Sequence, residues 1–207
     1  MFIALEGVEG AGKSVQARLL EGWLRGRGLD PVVTREPGGT TPGEAARRIL
    51  LESEDLAAET ELLLMLAARS ALVAEVIRPA LEAGRVVVTD RFALSSVAYQ
   101  AFGRGLPRSD VEALNRFATG GLAPDVTILL DVDPAVGAAR RGGAGRDRIE
   151  RAGEAFHGRV AEAYRLLAGE DERIERVDGS ADPQRVHERV VALLTARFPE
   201  TFPEPEG

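Results

Sequence analysis

The sequence contains no cysteine, which removes disulfides and thiolate metal sites from consideration. Its two histidines, His157 and His187, have no metal-ligand spacing, so both are read as surface or packing residues. No apolar run approaches the ~20 residues that a membrane span needs. The opening stretch, Met1-Phe2-Ile3-Ala4-Leu5-Glu6-Gly7, lacks a basic n-region and a cleavage signature, so no signal peptide is read and a cytoplasmic protein is expected. Positive charge is also short. A net charge of -7 over 207 residues argues against a nucleic-acid polymer as partner, although a nucleotide site needs only local positive charge. The scarcest functional group is the amine: of 26 basic residues, Lys13 alone is lysine and all the rest are arginine. An ammonium is a compact point charge and a guanidinium a planar fork, so a chain that otherwise uses arginine and keeps one lysine points to a site that needs the point charge.

What is present suits a soluble domain. Hydrophobic residues make up 44%, enough for a full core, and charged residues 29%. Short apolar runs at residues 2–5, 31–34, 86–89, 126–130 and 174–177 read as strands. Amphipathic stretches at 14–28, 59–83, 110–118, 135–141, 154–168 and 183–198 read as helices, with Pro79 bending the second. This alternation predicts an α/β fold of the P-loop NTPase type, a parallel five-stranded sheet with helices on both faces. One domain is expected over residues 1–198. The segment at about 140–152, with Arg140, Arg141, Arg146, Arg148 and Arg151 around glycines, has too little apolar content to pack and is expected to be a mobile lid. Residues 199–207, rich in proline and glutamate, are expected to form a flexible tail.

Gly7-Val8-Glu9-Gly10-Ala11-Gly12-Lys13-Ser14 matches G-x-x-x-x-G-K-[ST] between a strand and a helix. Glycines let backbone N–H groups approach phosphate oxygens, and the helix N-terminus adds partial positive charge at the same place. All eight residues are candidate ATP contacts. Lys13 is expected on the β- and γ-phosphates, and the Ser14 hydroxyl on Mg²⁺. A guanine-reading N-K-x-D is impossible with a single lysine, which favours ATP over GTP. The strand at 86–89 runs into Asp90-Arg91-Phe92. A carboxylate there faces the nucleotide crevice, so Asp90 is a second candidate Mg²⁺ ligand, directly or through water, and Arg91 a candidate phosphate clamp.

Four motifs in order resemble the thymidylate kinase family over about residues 2–195. They are the phosphate loop, Thr34-Arg35-Glu36-Pro37-Gly38-Gly39-Thr40, Asp90-Arg91-Phe92-Ala93-Leu94-Ser95-Ser96-Val97-Ala98-Tyr99-Gln100, and Asp147-Arg148-Ile149-Glu150. The resemblance implies a homodimeric enzyme that phosphorylates dTMP with ATP and Mg²⁺. It implies that Glu9 accepts from the sugar 3'-hydroxyl, that Arg91 holds the acceptor phosphate with Arg35, that Ser96 faces the base edge, and that Tyr99 packs where a ribose 2'-hydroxyl would project. Met65-Leu66-Ala67-Ala68-Arg69 is similar to the family's F-x-A-x-R, in which an aromatic covers the base and the arginine reaches it; here Met65 replaces the aromatic. No cation stands among the variable loop positions, so Arg146 and Arg148 of the lid are the candidate catalytic arginines, beside Lys13 and Arg91. Two other readings stay open: a P-loop kinase for another nucleotide or deoxynucleoside, and a nucleotide-operated switch.

Overall fold

The computed structural model describes residues 1–142, 148–149 and 151–203. Its centre is a five-stranded sheet of β1 (Phe2–Glu6), β2 (Val32–Arg35), β3 (Val87–Asp90), β4 (Val126–Asp131) and β5 (Ile174–Asp178). The order is β2-β3-β1-β4-β5 and every pairing is parallel. Each strand was expected from its apolar run, and each continues to a charged residue beyond it: Glu6, Arg35, Asp90, Asp131 and Asp178. The main-chain ladder does not depend on the side chain, so at this end it runs one residue past the apolar stretch. In a parallel sheet those last residues share the carboxyl edge, where ligands bind in such folds.

Successive side chains on a strand point to opposite faces. Ile3 and Leu5 join Leu20, Leu24, Ile128, Val160, Val190 and Leu194 on one side. Phe2 and Ala4 join Leu72, Ile77, Val87 and Phe92 on the other. The first cluster is closed by α1 (Lys13–Gly26), α8 (Glu154–Ala168) and α9 (Pro183–Arg197), and the second by the long helix that starts as α3 (Ala58–Leu72). That helix passes through a π-type stretch, Val73–Ile77, before α4 (Arg78–Glu82). Pro79 offers no N–H to residue 75 and its ring crowds that carbonyl, so the winding widens just ahead of it, and Arg78 N–H donates to Val73 O five residues back.

Two helices escaped the sequence reading. In α2 (Thr41–Glu52), Thr40 caps the first turn by accepting from Gly43 N–H, with proline inside the start; the signal was the threonine three residues ahead of that N–H, followed by Pro42. The other is α5 (Ala93–Ser96), continuing as a π-type turn, Val97–Gly103, in which Val97, Ala98, Tyr99, Gln100, Ala101 and Gly103 are buried. A helix buried on nearly every side shows no 3.6-residue polarity period. The remaining helices are α6 (Arg108–Thr119) and α7 (Pro134–Arg141). The tail is packed through Pro203 rather than loose: Phe202 is fully buried against Trp23, ring centroids 5.1 Å apart, and Arg27 donates to Pro203 O at 2.6 Å.

Candidate active site

The loop between β1 and α1 carries Gly7, Gly10 and Gly12 at positive φ, conformations open to glycine at little cost. Gly10 also lies against α7 with no room for a side chain: a Cβ there would fall 2.1 Å from Gly137 O. Lys13 curls over the loop and donates from Nζ to Gly7 O at 3.0 Å and Val8 O at 2.9 Å. Burial, with Arg91 nearby, lowers its pKa to about 8 against the opposing pull of Asp90, Glu9 and Glu6. The site thus holds an ammonium stripped of water by burial, a setting that a phosphate beside it relieves.

Ser14 is exposed at the start of α1, and its hydroxyl donates to Asp90 Oδ2 at 2.5 Å. Beside Asp90, Arg91 takes φ 77, the one non-glycine residue at positive φ among the described residues. Its Nη1 donates to Gly7 O (3.2 Å), Ser95 Oγ (3.1 Å) and Tyr164 Oη (3.3 Å). Its Nη2 donates to Glu9 Oε1 (3.1 Å) and Tyr99 Oη (3.2 Å), and Tyr99 donates to Glu9 Oε2 (2.7 Å). Burial works against the Glu9 carboxylate, but Arg91, Lys13 and the Tyr99 hydroxyl hold its pKa below the ordinary value.

Farther along the cleft, Arg69 is 1% exposed and its five N–H groups meet five protein contacts. Nε donates to Glu36 Oε2 at 2.7 Å and Nη2 lies 2.5 Å from the same oxygen. Nη1 donates to Ser96 Oγ at 2.8 Å and to Asn115 Oδ1, and Nη2 to Phe92 O at 3.0 Å. Burial raises the Glu36 pKa to about 6 despite Arg69. Ser96 accepts from Arg69, so its own O–H remains to give elsewhere. Met65 is half-buried one turn before Arg69. Loop, Arg91 pocket and Arg69 pocket line one cavity of about 860 Å³, which also takes in Gln16, Gln100 and residues 179–183.

A thymidylate kinase family model matches residues 5–190. Thymidylate kinases from Rhizorhabdus wittichii and Trichormus variabilis are 47% and 44% identical, each covering 96% of this chain and 98% and 97% of their own length. A crystal structure of thymidylate kinase from Ehrlichia chaffeensis superposes with a TM-score of 0.80 at 30% identity, covering 94% of this chain and 98% of its own. The chain belongs to the thymidylate kinase family. Membership sets aside the switch reading, and the doubly covered parallel sheet expected from the sequence is the fold observed.

Within this thymidylate kinase family site, the structure brings together Lys13, Ser14, Asp90, Arg91, Glu9 and Tyr99, and sets Met65, Arg69 and Ser96 along the same cavity. Arg35 also lines it, half-exposed and ion-paired with Glu44 at 3.0 Å. Arg148 is placed differently from the expectation of a cation over the γ-phosphate. It is buried, its Nη2 lies 2.6 Å from Glu61 Oε2, and its Nε donates to Leu50 O at 3.2 Å. A buried carboxylate one helix away out-competes the solvent-facing position that the sequence suggested. Arg146 lies outside the described residues. Arg140, at the start of the expected lid, donates to the carbonyls of Gly179, Ser180 and Ala181.

Sequence reasoning missed several residues that shape the site. Glu6 is fully buried and accepts from Phe92 N–H, Ser95 N–H, Ser95 Oγ and Tyr164 Oη, fixing the turn that carries Arg91. Its signal was a carboxylate directly before the phosphate loop. Glu36 and Gln100 were visible within motifs and Glu61 only as part of a long helix, but the partners they bond stand 33 to 43 residues away in the chain. His157 stands within 3.6 Å of Glu9 at the site's rim, closer to the chemistry than a plain packing residue.

Proposed function

We propose that this chain transfers the γ-phosphoryl group of ATP to dTMP, yielding ADP and dTDP. One observation carries the reading: Arg91, the acceptor-side cation, donates to Gly7 O and Glu9 of the phosphate loop itself. Donor and acceptor phosphates would then meet across a shared wall, which suits in-line transfer. A phosphate oxygen of dTMP attacks the γ-phosphorus as the bond to the β-phosphate oxygen breaks, and the leaving charge stays on ADP. Lys13 and the loop N–H groups hold the ATP phosphates, and Arg91, with Arg35, holds the acceptor phosphate. Glu9 accepts from the 3'-hydroxyl, and Tyr99 occupies the place a 2'-hydroxyl would need. Met65 covers a base face, while Ser96, bonded to Arg69, gives its proton to a base carbonyl.

Ser14 and Asp90 offer a hydroxyl and a carboxylate already in contact, a hard-oxygen pair that fits Mg²⁺. Bound there, the ion would neutralise phosphate charge; a small protein share suits Mg²⁺, which keeps its waters and takes phosphate oxygens as well. No group of three or more metal-capable side chains occurs among the described residues. We place the reaction in the cytoplasm, where ATP is supplied. No helix among the described residues is long and apolar enough to cross a membrane. We also assign a homodimer contact to the neighbouring helices α2, α3 and α6, which expose Ile49, Leu63, Leu114 and Phe117, the last 87% exposed.

A coupled assay for ADP tests the reading, with dTMP, dUMP, UMP, CMP, AMP and GMP offered in turn. Expected is highest kcat/KM for dTMP, with ribose acceptors poor. Equal turnover with UMP and dUMP, or a purine acceptor preferred, overturns it.

A further inference from the structure

We propose that Glu61 is a positioning residue that sets which base the acceptor pocket takes, by fixing the hydrogen-bond polarity of Gln100. The proposal rests on the acceptor being a nucleoside monophosphate held in the Arg69 pocket.

Glu61, Met65 and Arg69 recur at four-residue spacing on α3 and so share one face. Glu61 is 1% exposed, and its carboxylate gathers three side chains from two other segments. Oε1 accepts from Gln100 Nε2 at 2.8 Å and from Arg104 Nε at 3.3 Å. Oε2 accepts from Arg104 Nη2 at 3.0 Å and lies 2.6 Å from Arg148 Nη2. Two guanidiniums keep the group ionised, and an ionised carboxylate only accepts. Gln100 therefore has one choice: its NH₂ group faces Glu61.

The consequence appears on the other side of the amide. Gln100 is 1% exposed and lines the main cavity. Its amide oxygen receives no hydrogen bond from any described residue. The group it offers to a ligand is thus an acceptor. An acceptor on the cavity wall is matched by a donor, so the pocket favours a base that brings an N–H to that point. Thymine and uracil do: their N3 carries a proton between two carbonyls, and the Ser96 O–H is free to meet one of those carbonyls. Cytosine has a lone pair at N3 and an amino group where thymine has O4, so it opposes both groups. Glu61 thereby turns an amide, which by itself could read either pattern, into a reader of one.

The test is selectivity. In Glu61→Gln the new amide can present either its oxygen or its NH₂, so Gln100 is free to reverse. The kcat/KM ratio of dTMP to dCMP is expected to fall at least ~10-fold, while the ratio of dTMP to dUMP, which share the imide, stays at the parent value. The KM for ATP is also expected to stay. Gln100→Leu removes the reader itself and is expected to lower the dTMP:dCMP ratio in the same way, which covers the case that Glu61→Gln does not fold. The proposal is overturned if folded Glu61→Gln keeps the parent dTMP:dCMP ratio, if both ratios change together, or if Gln100→Leu keeps it. A parent protein that transfers nothing to dTMP would instead remove the kinase reading, which is a separate outcome.

Discussion

Arg91 and Glu9 lie 3.1 Å apart, and the Tyr99 hydroxyl bridges them, donating to the carboxylate while accepting from the guanidinium. The pair joins the phosphate loop to the end of β3 through two side chains with no main-chain bond to each other. It is held at a backbone conformation, φ 77, that an L-residue adopts at a cost of roughly 1–2 kcal/mol. Strain of that kind persists where function needs the side chain in one place.

Arg91→Gly separates the two demands on this position. Glycine accepts the positive φ, which recovers part of the stability lost with the guanidinium's five hydrogen bonds, but it cannot hold a phosphate. The expected result is a folded protein whose kcat/KM for dTMP is lower by at least ~100-fold, a loss of ~3 kcal/mol of transition-state binding. Steady-state kinetics with thermal melting checks it. Parent-like kinetics would remove Arg91 from the acceptor site.

Lys13 gives the pH dependence. Its pKa is lowered to about 8 by burial, and a phosphate beside it favours the charged amine. ATP binding in the range from about 8 upward therefore takes up a proton. Affinity should fall by up to about tenfold per pH unit above 8, as the free protein loses the proton that the complex keeps. Calorimetry in buffers of different ionisation enthalpy measures the uptake. An amine reagent should label Lys13 with a midpoint near pH 8, and ATP should protect it. Lys13→Arg should bind ATP poorly, because a fork does not replace a point charge.

The two arginines expected in the lid should part company. Arg148→Ala removes one of two cations from buried Glu61, and the remaining Arg104 limits the damage to about 1–3 kcal/mol of stability. We propose Arg146 as the cation over the γ-phosphate; Arg146→Ala should leave melting unchanged and cut turnover ~100-fold or more. Measuring Tm and kcat on both variants decides between them. A turnover loss confined to Arg148→Ala would reverse the assignment.

Phe202 is the test of the chain's far end. It is fully buried against Trp23, the only tryptophan in the sequence. Phe202→Ala should cost about 3–5 kcal/mol, the usual range for emptying a buried phenylalanine site. Trp23 emission should shift to the red as water reaches the ring. A loss below ~0.5 kcal/mol would mean that this end of the chain is dispensable.

The sequence by itself determined the strands and the phosphate loop, and it pointed to Lys13, Ser14, Asp90 and Arg91, which line one cavity. These rest on local rules: apolar runs make strands, glycines open a loop, and a lone lysine marks a point charge. It did not determine where the buried charges go. Glu6, Glu36 and Glu61 are each placed by partners far along the chain, and the direction of Arg148 follows from one of them. A buried charge must find its counterpart in space, and which counterpart is near depends on how helices pack across the sheet. The same is true of Phe202: proline and glutamate around it suggested a loose end, while a vacancy beside Trp23 on α1 decided that it is core.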